Sequence, residues 1–555
     1  MARLVAPNAF REKRLTCPGC TNRCQVCEFI FDNGNVYYSG NKCEKIFTNK
    51  GGDFRKGENM YTFKYSRIFR RGNVRAVAGT PGGTRRCIGI PRALNAFENF
   101  PFWNALLSAC GFEVVVSGAS TMPLYEKGLR TVMSDNICFP AKLVHGHVLD
   151  LVGRGVERIF MPYVVRERAE DARAHGSFNC PIVSGYSQVI SAAMETQEKY
   201  GIPLDAPVVT FSDEKLLRRA CREFSDTLGV PKSVFDAAFP VALAAQKNFA
   251  RELYEKAKKI LENARKNGRT VILLAGRPYH ADPLIQHKIS DLAAGFGADI
   301  ITEDIARFAE ENDTDGGGNA LDGIGGVLQW TYVTRILKAA RFVARAEPSV
   351  HYVQLTSFGC GPDAFIIDEV ADILKQGGKN LTLLKIDDVN NVGSLKLRLR
   401  SLVESLKFKS NFADAGTRSR KTPPPRHTGI FGKGDNARRT ILYPFISEYI
   451  SPIIAPALEA CGYKAIMLPP SDAQTVEYGL KHSNNEICYP ATLVVGDIVK
   501  ALDSGKYDRR EIAVGISQTG GQCRATNYLS LIKRRSPMRV TATFPWSPSE
   551  SELRP

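Results

Sequence analysis

Long apolar stretches are missing from this chain of 555 residues. No run reaches about 18 consecutive apolar residues, which excludes a transmembrane helix. Residues 1–14 lack the apolar segment of a secretory signal, so we expect a cytoplasmic protein. No G-x-x-x-x-G-K-[ST] loop occurs, which argues against a P-loop ATPase. Hydrophobic residues make up 44% and charged residues 24%, so the chain is globular and long enough for about three to five domains.

Acidic residues are scarce relative to basic ones, 57 against 74, and the net charge is +17. Most of the excess positive charge lies in residues 64–86 and 396–439, which are rich in Gly, Pro, Ser and Thr. We interpret both segments as solvated basic linkers. A nucleic-acid groove would need basic residues interleaved with stacking aromatics on one face, and neither segment has this pattern. We therefore expect no nucleic acid and no membrane among the partners.

Fourteen cysteines are unusual for a cytoplasmic chain. Disulfides are rare in a reducing compartment, so clustered thiols indicate metal binding. Residues 29–38 predict a hairpin with an Asn-Gly turn, and cysteines flank it on both sides. This pattern predicts a cysteine-rich metal module over residues 15–60, either zinc-ribbon-like or iron–sulfur, with Cys27 as a spare thiol. Its predicted ligands are Cys17, Cys20, Cys24 and Cys43.

Short apolar strands alternate with helical segments beyond the module, a pattern typical of α/β proteins with parallel sheets. We predict a first α/β domain over residues 84–194, a helical segment over 195–267, a second α/β domain over 268–406 and a basic Pro-rich linker over 407–439; the family resemblance described below implies that both domains are Rossmann-like. Each α/β unit is expected to have its own apolar core. The predicted strands are residues 86–90, 112–116, 156–160, 270–275, 351–355 and 381–385.

Two motifs of the first domain recur near the end of the chain. Residues 106–113 match residues 457–464, and residues 134–144 match residues 484–494, with offsets of 351 and 350. Nearly equal offsets in two separate motifs indicate an internal repeat. We predict that residues 440–535 are a partial repeat of the first α/β unit, followed by a Ser/Pro-rich tail.

Cys138 and Cys488 occupy the same frame, Ile-Cys-(Phe/Tyr)-Pro-Ala-x-Leu-Val. Proline two residues after cysteine suits the first turn of a helix, so each thiol is predicted just before a helix N-terminus. The free N–H groups and positive dipole end there stabilise a thiolate or an anionic cluster. The alternative is that each cysteine is a small buried apolar residue. That alternative is our interpretation of Cys87, Cys110, Cys221 and Cys461, which lie within apolar strands or helices.

Three further cysteines lie in turns that could present a ligand. Cys360 is flanked by glycines and follows a predicted strand, Cys180 precedes a proline, and Cys523 is the rough counterpart of Cys180 after Cys488. Open α/β sheets bind ligands at the carboxyl ends of their strands. We therefore predict that Cys138, Cys180 and Cys360 meet at one cleft between the first two α/β units, where three thiolates suit a [4Fe–4S] cluster with one open iron.

His280 lies in the loop after the predicted strand 270–275, in the same unit as Cys360. It is therefore expected to face the same cleft and to donate a hydrogen bond or a proton near the cluster. The alternative is a loop histidine with a structural hydrogen bond.

Several longer motifs along the chain are specific enough to compare with known families. They are LTCPGCTNRC (15–24), SGNKCEK (39–45), GIPRAL (89–94), DNICFPAKLVHG (135–146), GRPYHADPL (276–284) and QTGGQCRATN (518–527). Together they resemble the 2-hydroxyacyl-CoA dehydratase activator-related proteins of the CoA-substrate-specific enzyme activases. The resemblance covers residues 15–533 and implies paired Rossmann-like domains with an iron–sulfur cluster between them. It implies that Cys138, Cys180 and Cys360 hold this cluster and that Cys488 and Cys523 begin a second site.

The resemblance also implies a function for the chain. An anaerobic iron–sulfur redox protein of this type takes low-potential electrons from an ATP-dependent activator and passes them to an acyl-CoA or a similar substrate or partner. ATPase domains often precede this region in the family, and the sequence has none, so we expect a fragment or one subunit of a split dehydratase or reductase system. The alternative is a non-catalytic, zinc-stabilised scaffold or assembly subunit with the same fold.

Overall fold

The structure is a computed structural model. It describes residues 10–18, 23–31, 34, 36–40, 46–47, 56–70, 74–80, 86–172, 174–308, 328–388, 392–410, 435–518, 520–535 and 541–545. The chain divides into two compact units, Met1–Gly57 and Glu58–Pro555. Among the described helices, none combines the length and the apolarity that crossing a membrane requires.

The N-terminal unit contains a three-stranded antiparallel sheet. Its strands are β1 (Phe10–Thr16), β2 (Gln25–Phe31) and β3 (Val36–Ser39). The hairpin of β2 and β3 agrees with the sequence pattern, and Gly34 in its turn has a φ of 79°. The sequence analysis missed β1, because its run of charged side chains is exposed and lacks apolar alternation.

The larger unit contains three four-stranded parallel sheets. In each sheet the second strand along the chain lies on one side of the first, and the third and fourth lie on the other, as in doubly wound folds. The predicted α/β class with parallel sheets is thus confirmed.

The first sheet consists of β4 (Cys87–Ile90), β5 (Glu113–Val116), β6 (Arg158–Phe160) and β8 (Leu204–Asp205), beside a separate pair, β7 (Tyr163–Arg166) and β9 (Val208–Thr210). The second consists of β10 (Val271–Ala275), β11 (Asp299–Thr302), β12 (Val350–Ser357) and β13 (Leu381–Ile386), and the third of β14 (Thr440–Tyr443), β15 (Lys464–Met467), β16 (Ile512–Gln518) and β17 (Thr541–Pro545).

Helices connect the strands of all three sheets. The first group is α1 (Met60–Ile68), α2 (Ala96–Ala109), α3 (Met122–Gly128), α4 (Phe139–Gly153), α5 (Pro181–Met194), α6 (Thr196–Tyr200), α7 (Glu214–Thr227) and α8 (Lys232–Lys266). The second group is α9 (Ile289–Gly295), α10 (Thr331–Arg345), α11 (Gly361–Ala364), α12 (Ile367–Gln376) and α13 (Val392–Ser410). The third group is α14 (Asp435–Arg438), α15 (Ser451–Ala460), α16 (Ala473–His482), α17 (Tyr489–Asp503) and α18 (Tyr528–Arg535).

Several sequence-based boundaries need correction. The segment 195–267 is not wholly helical, because β8 and β9 pair with β6 and β7. The tail after residue 535 contains β17, which pairs in parallel with β16. The predicted linker 407–439 begins within α13, and its residues 411–434 lie outside the described part of the chain.

Burial corrects three further expectations. Lys64, in the supposed basic linker, is buried, and its Nζ lies 3.3 Å from Glu303 Oε1 and 2.5 Å from Asp304 Oδ2. The first two sheets share one continuous apolar core instead of having separate cores, while most of the third sheet's apolar residues pack in another. Cys110 and Cys221 are buried as expected, whereas Cys461 is exposed and Cys87 partly exposed.

Helices α3 and α4 cross at a pair of glycines. A Cβ at Gly146 would lie 2.1 Å from the backbone oxygen of Leu124, and one at Gly128 would lie 2.3 Å from the backbone nitrogen of Gly146. Helices α16 and α17, which follow β15 of the third sheet, cross in the same way. A Cβ at Gly496 would lie 2.0 Å from the backbone oxygen of Thr475. Both crossings require glycine because backbone atoms fill the space of a side chain.

We expect Gly146→Ala to lower the free energy of unfolding by about 1–3 kcal/mol, because the helices must move apart to admit a methyl group. Gly153→Ala in the same helix is the matched control, since its Cβ would meet only Lys127 Nζ, at 3.9 Å. Denaturant unfolding of both variants measures the difference. Equal denaturant midpoints for the two variants would contradict the close crossing of α3 and α4.

Candidate functional site

Five cysteines predicted as cluster ligands occupy the same kind of position, the residue immediately before a helical segment. Their backbone is extended, with φ −63° and ψ 147° at Cys138 as an example. Proline at the first or second helical position follows four of them and fixes the helix start. The thiols therefore lie beside the free N–H groups of the first turns. These residues are Cys138 before α4, Cys180 before α5, Cys360 before α11, Cys488 before α17 and Cys523 before a 3₁₀ turn.

Cys180 lies near enough to Cys138 and to Cys360 to affect the pKa of both thiols. The pKa of the Cys138 thiol is raised to about 12, mainly by burial and in smaller part by the neighbouring Cys180. Burial also raises the pKa of Cys360 well above its usual value, with additional increases from Asp363 and Cys180 and an opposing effect of Arg277. Three cysteines from separate loops therefore share one neighbourhood, which we call the three-thiol group.

Tyr279 interacts with every member of the three-thiol group. Burial raises its pKa well above the usual value, and the charges of Cys360, Cys138 and Cys180 add to this increase. The side chain is almost fully buried. The sequence analysis did not single out Tyr279, although it lies beside His280 in one of the motifs that carry the family resemblance.

A buried ion pair lies beside the three-thiol group. The guanidinium of Arg277 bonds to Asp363, and Thr356 Oγ1 donates to the other carboxylate oxygen of Asp363 at 3.0 Å. Burial disfavours the charged arginine, but Asp363 and Cys360 hold its pKa above the usual value. Arg277 thus places a permanent positive charge beside the thiols, where it lowers the pKa of both Cys180 and Cys360. The sequence analysis missed Asp363, three residues after Cys360.

His280 is fully buried in the turn after β10. Its Nδ1 accepts the backbone N–H of Arg277 at 3.0 Å, so the ring proton is assigned to Nε2. Within the described residues Nε2 has no hydrogen-bond partner. Burial lowers the pKa of His280 to about 3, which makes it a neutral hydrogen-bond donor at pH 7. Its catalytic role stays a prediction.

Cys488 and Cys523 form a second group around one tyrosine. Cys488 Sγ lies 2.9 Å from the hydroxyl of Tyr528. The pKa of Tyr528 is raised by burial first and then by Cys488 and Cys523. Gln329 Nε2 donates to the backbone oxygen of Cys523 at 2.8 Å, which fixes this turn against the segment that precedes α10.

The two thiol groups lie on neighbouring surfaces. A Cβ at Gly361, next to Cys360, would lie 2.3 Å from Nη1 of Arg524, so the arginine packs directly on the start of α11. The rings of Phe365 and Tyr528 stack at 6.1 Å. These contacts connect the turn of the third sheet that carries Cys523 with the turn of the second sheet that carries Cys360.

The N-terminal module is described only in part. The backbone N–H of Cys17 donates to the oxygen of Cys24 at 2.9 Å, which brings the two residues together. Cys27 lies in β2, and Cys20 and Cys43 fall outside the described residues. The four-thiol metal site therefore stays a prediction.

The sulfur ligands of the three-thiol group are compatible with an iron–sulfur cluster. In the part of the chain that the structure describes, no three His, Cys, Asp or Glu side chains form a ligand set for one metal ion. A [4Fe–4S] cluster separates its thiolate sulfurs by roughly 6–7 Å, farther apart than the ligands of one ion. Soft sulfur ligands beside helix N-termini suit an anionic cluster.

Comparison with known proteins supports a relation to the CoA enzyme activases. Residues 87–306 match the family described as CoA enzyme activase uncharacterised domain (DUF2229), less than half of the chain. The matched region includes Cys138, Cys180 and His280. No curated protein matches the chain at a significant level.

A solved structure with some similarity is the C-terminal domain of glucosamine-fructose-6-phosphate aminotransferase from Francisella tularensis. The identity is 11%, and the match covers 63% of this chain and 96% of that chain. The TM-score of 0.15 is too low for an argument about fold or function.

Proposed function

We propose that this chain is an iron–sulfur redox protein of the CoA enzyme activase type. It accepts a low-potential electron from an ATP-dependent activator on another chain and passes it to an acyl-CoA or a similar substrate or partner. The observation that supports this function best is the convergence of Cys138, Cys180 and Cys360 around Tyr279. Cys138, Cys180 and Cys360 would hold a [4Fe–4S] cluster, which would supply one-electron chemistry at this site.

The residues around the thiols favour a negatively charged group. The first turns of α4 and α5 direct backbone N–H groups toward Cys138 and Cys180, and these groups lower the pKa of both thiols. Arg277 adds a full positive charge, which Asp363 holds in position. These effects oppose the burial that keeps the free thiols protonated, so an iron centre that replaces the thiol protons is stabilised.

We also propose that the third sheet is a partial duplicate of the first and that Cys488 and Cys523 begin a second cluster site. Both sheets share one strand order, the glycine crossing and a cysteine before the corresponding helix, α4 or α17. The exposed face of Cys523 beside Arg524 leaves this site accessible to a partner. For the N-terminal module, zinc and iron are both compatible with the predicted ligands.

Anaerobic purification followed by iron, sulfide and zinc analysis tests the proposed function. We expect about four iron and four sulfide ions per chain at the three-thiol group, and more if the second site is filled. Dithionite-treated protein should give the EPR signal of a reduced cluster. Zinc without iron would contradict the proposal and support the scaffold alternative.

A further inference from the structure

Glu167 carries a buried carboxyl group that is hydrogen-bonded to Asn179, the residue before Cys180. Glu167 is 3% exposed, and four donors converge on one of its oxygens, Oε1. The crowding of donors at Oε1 leaves Oε2 as the oxygen that can take up a proton. The donors are Asn95 Nδ2 at 2.9 Å, Asn99 Nδ2 at 2.8 Å, Asn179 Nδ2 at 3.2 Å and the hydroxyl of Tyr332 at 3.1 Å.

Glu167 is one of the residues that line a cavity of about 280 Å³. Apolar rings of Phe102 and Phe211 line one part of it, and the charged side chains of Arg168, Glu214 and Lys247 line another. These three residues are exposed, so the cavity connects Glu167 with solvent. A polar cavity of this size holds several water molecules, which can carry protons to a buried group.

Asn179 connects Glu167 with the three-thiol group. Its side-chain nitrogen donates to Glu167 Oε1 and, at 3.1 Å, to the backbone oxygen of Val164. The next residue is Cys180, whose position before α5 is fixed by the following proline. The carboxyl group is thus hydrogen-bonded to the residue that precedes a predicted cluster ligand.

The charges around Glu167 are largely neutralised by one another. Arg335 Nη2 lies 2.8 Å from Glu98 Oε1 and 2.6 Å from Glu170 Oε1. The pKa of Glu167 is raised to about 7, because burial and then the charge of Glu98 increase it more than the asparagine and tyrosine donors decrease it. The charged and titratable groups that face this region are Glu98 from α2, Tyr332 and Arg335 from α10, Arg307 from the turn after β11, Arg168 and Glu170 from the segment after β7, Glu214 from α7 and Lys247 from α8.

We propose that Glu167 takes up the proton that accompanies reduction of the iron–sulfur centre held in part by Cys180. This inference rests on the proposed function. One electron enters the centre from the activator chain, and one proton enters from water through the cavity and adds to Glu167 Oε2. Reoxidation by the acceptor releases both. The coupling is electrostatic, because an added negative charge nearby disfavours the carboxylate.

The midpoint potential of the anaerobic protein, measured by spectroscopic redox titration between pH 5.5 and 9, tests this coupling. Below the pKa of Glu167 in the oxidised state, the carboxyl is protonated in both states, so the potential is constant. Between the pKa values of the oxidised and reduced states, each tenfold fall in proton activity lowers the potential by up to 59 mV for one electron. We expect this slope to begin near pH 7 in the wild type.

Glu167→Gln should abolish the slope, because the amide cannot take up the proton. Glu214→Gln is the matched control at the same cavity and should behave like the wild type. Tyr332→Phe removes one donor that lowers the pKa of Glu167 and should move the slope to higher pH, which keeps the test available if Glu167→Gln loses its cluster.

If the wild-type protein contains iron but its midpoint potential is independent of pH, this inference is overturned and the proposed function is not. A slope that persists in Glu167→Gln, or that stays at the same pH in Tyr332→Phe, would also overturn it. A chain without iron would instead overturn the proposed function.

Discussion

Replacing Cys360 with serine is expected to remove most of the iron from the anaerobic protein while the α/β fold remains. A serine oxygen is a harder ligand than a thiolate and holds iron–sulfur clusters poorly. We expect the iron of the three-thiol group, about four ions per chain, to be lost or to convert to a smaller cluster with a different EPR signal. Cys138→Ser and Cys180→Ser should have the same effect, because each removes one of three ligands.

The fold should survive because Cys360 is only partly buried and precedes the four-residue helix α11. Circular dichroism and denaturant unfolding measure this directly. Cys461→Ser is the matched control, since this exposed thiol follows α15. Equal iron loss in Cys461→Ser and Cys360→Ser, or full iron in Cys360→Ser, would contradict the assignment of the three-thiol group.

Asp363→Ala is expected to lower the free energy of unfolding by about 3–5 kcal/mol, because it leaves the buried Arg277 without its partner. Arg277 is 3% exposed and Asp363 1% exposed, so water cannot replace the lost carboxylate. The orphaned hydroxyl of Thr356 adds to the loss. Denaturant unfolding measures the change, and iron analysis of the same variant reports on the neighbouring thiols.

Two further variants separate the effect of the lost partner from a general loss of packing. The double variant Arg277→Met and Asp363→Leu removes both charges and should recover much of the stability lost in Asp363→Ala. Glu223→Ala breaks an exposed pair with Arg219 of 2.9 Å and should leave stability nearly unchanged. An Asp363→Ala variant as stable as Glu223→Ala would show that the pair does not stabilise the fold.

The sequence by itself was sufficient to predict the α/β class, most strands of the first two sheets, the N-terminal hairpin and the cysteines before α4 and α17. These features depend on local signals. Apolar runs between turn residues predict strands, and a proline two positions after a cysteine predicts a helix start. The shared register of residues 106–113 and 457–464 likewise needs no knowledge of the fold.

Tertiary structure alone decided which charges and thiols meet. Arg277 and Asp363 are 86 positions apart, and no local pattern pairs them. Lys64 lies in a basic, linker-like segment yet is buried against Glu303 and Asp304, because α1 packs on the second sheet. Tyr279 interacts with three thiols only because separate loops meet around it, and the pKa of Glu167 depends on burial and on side chains from α2 and α10. Burial and long-range electrostatics depend on how distant segments pack, and sequence periodicity carries no information about that packing.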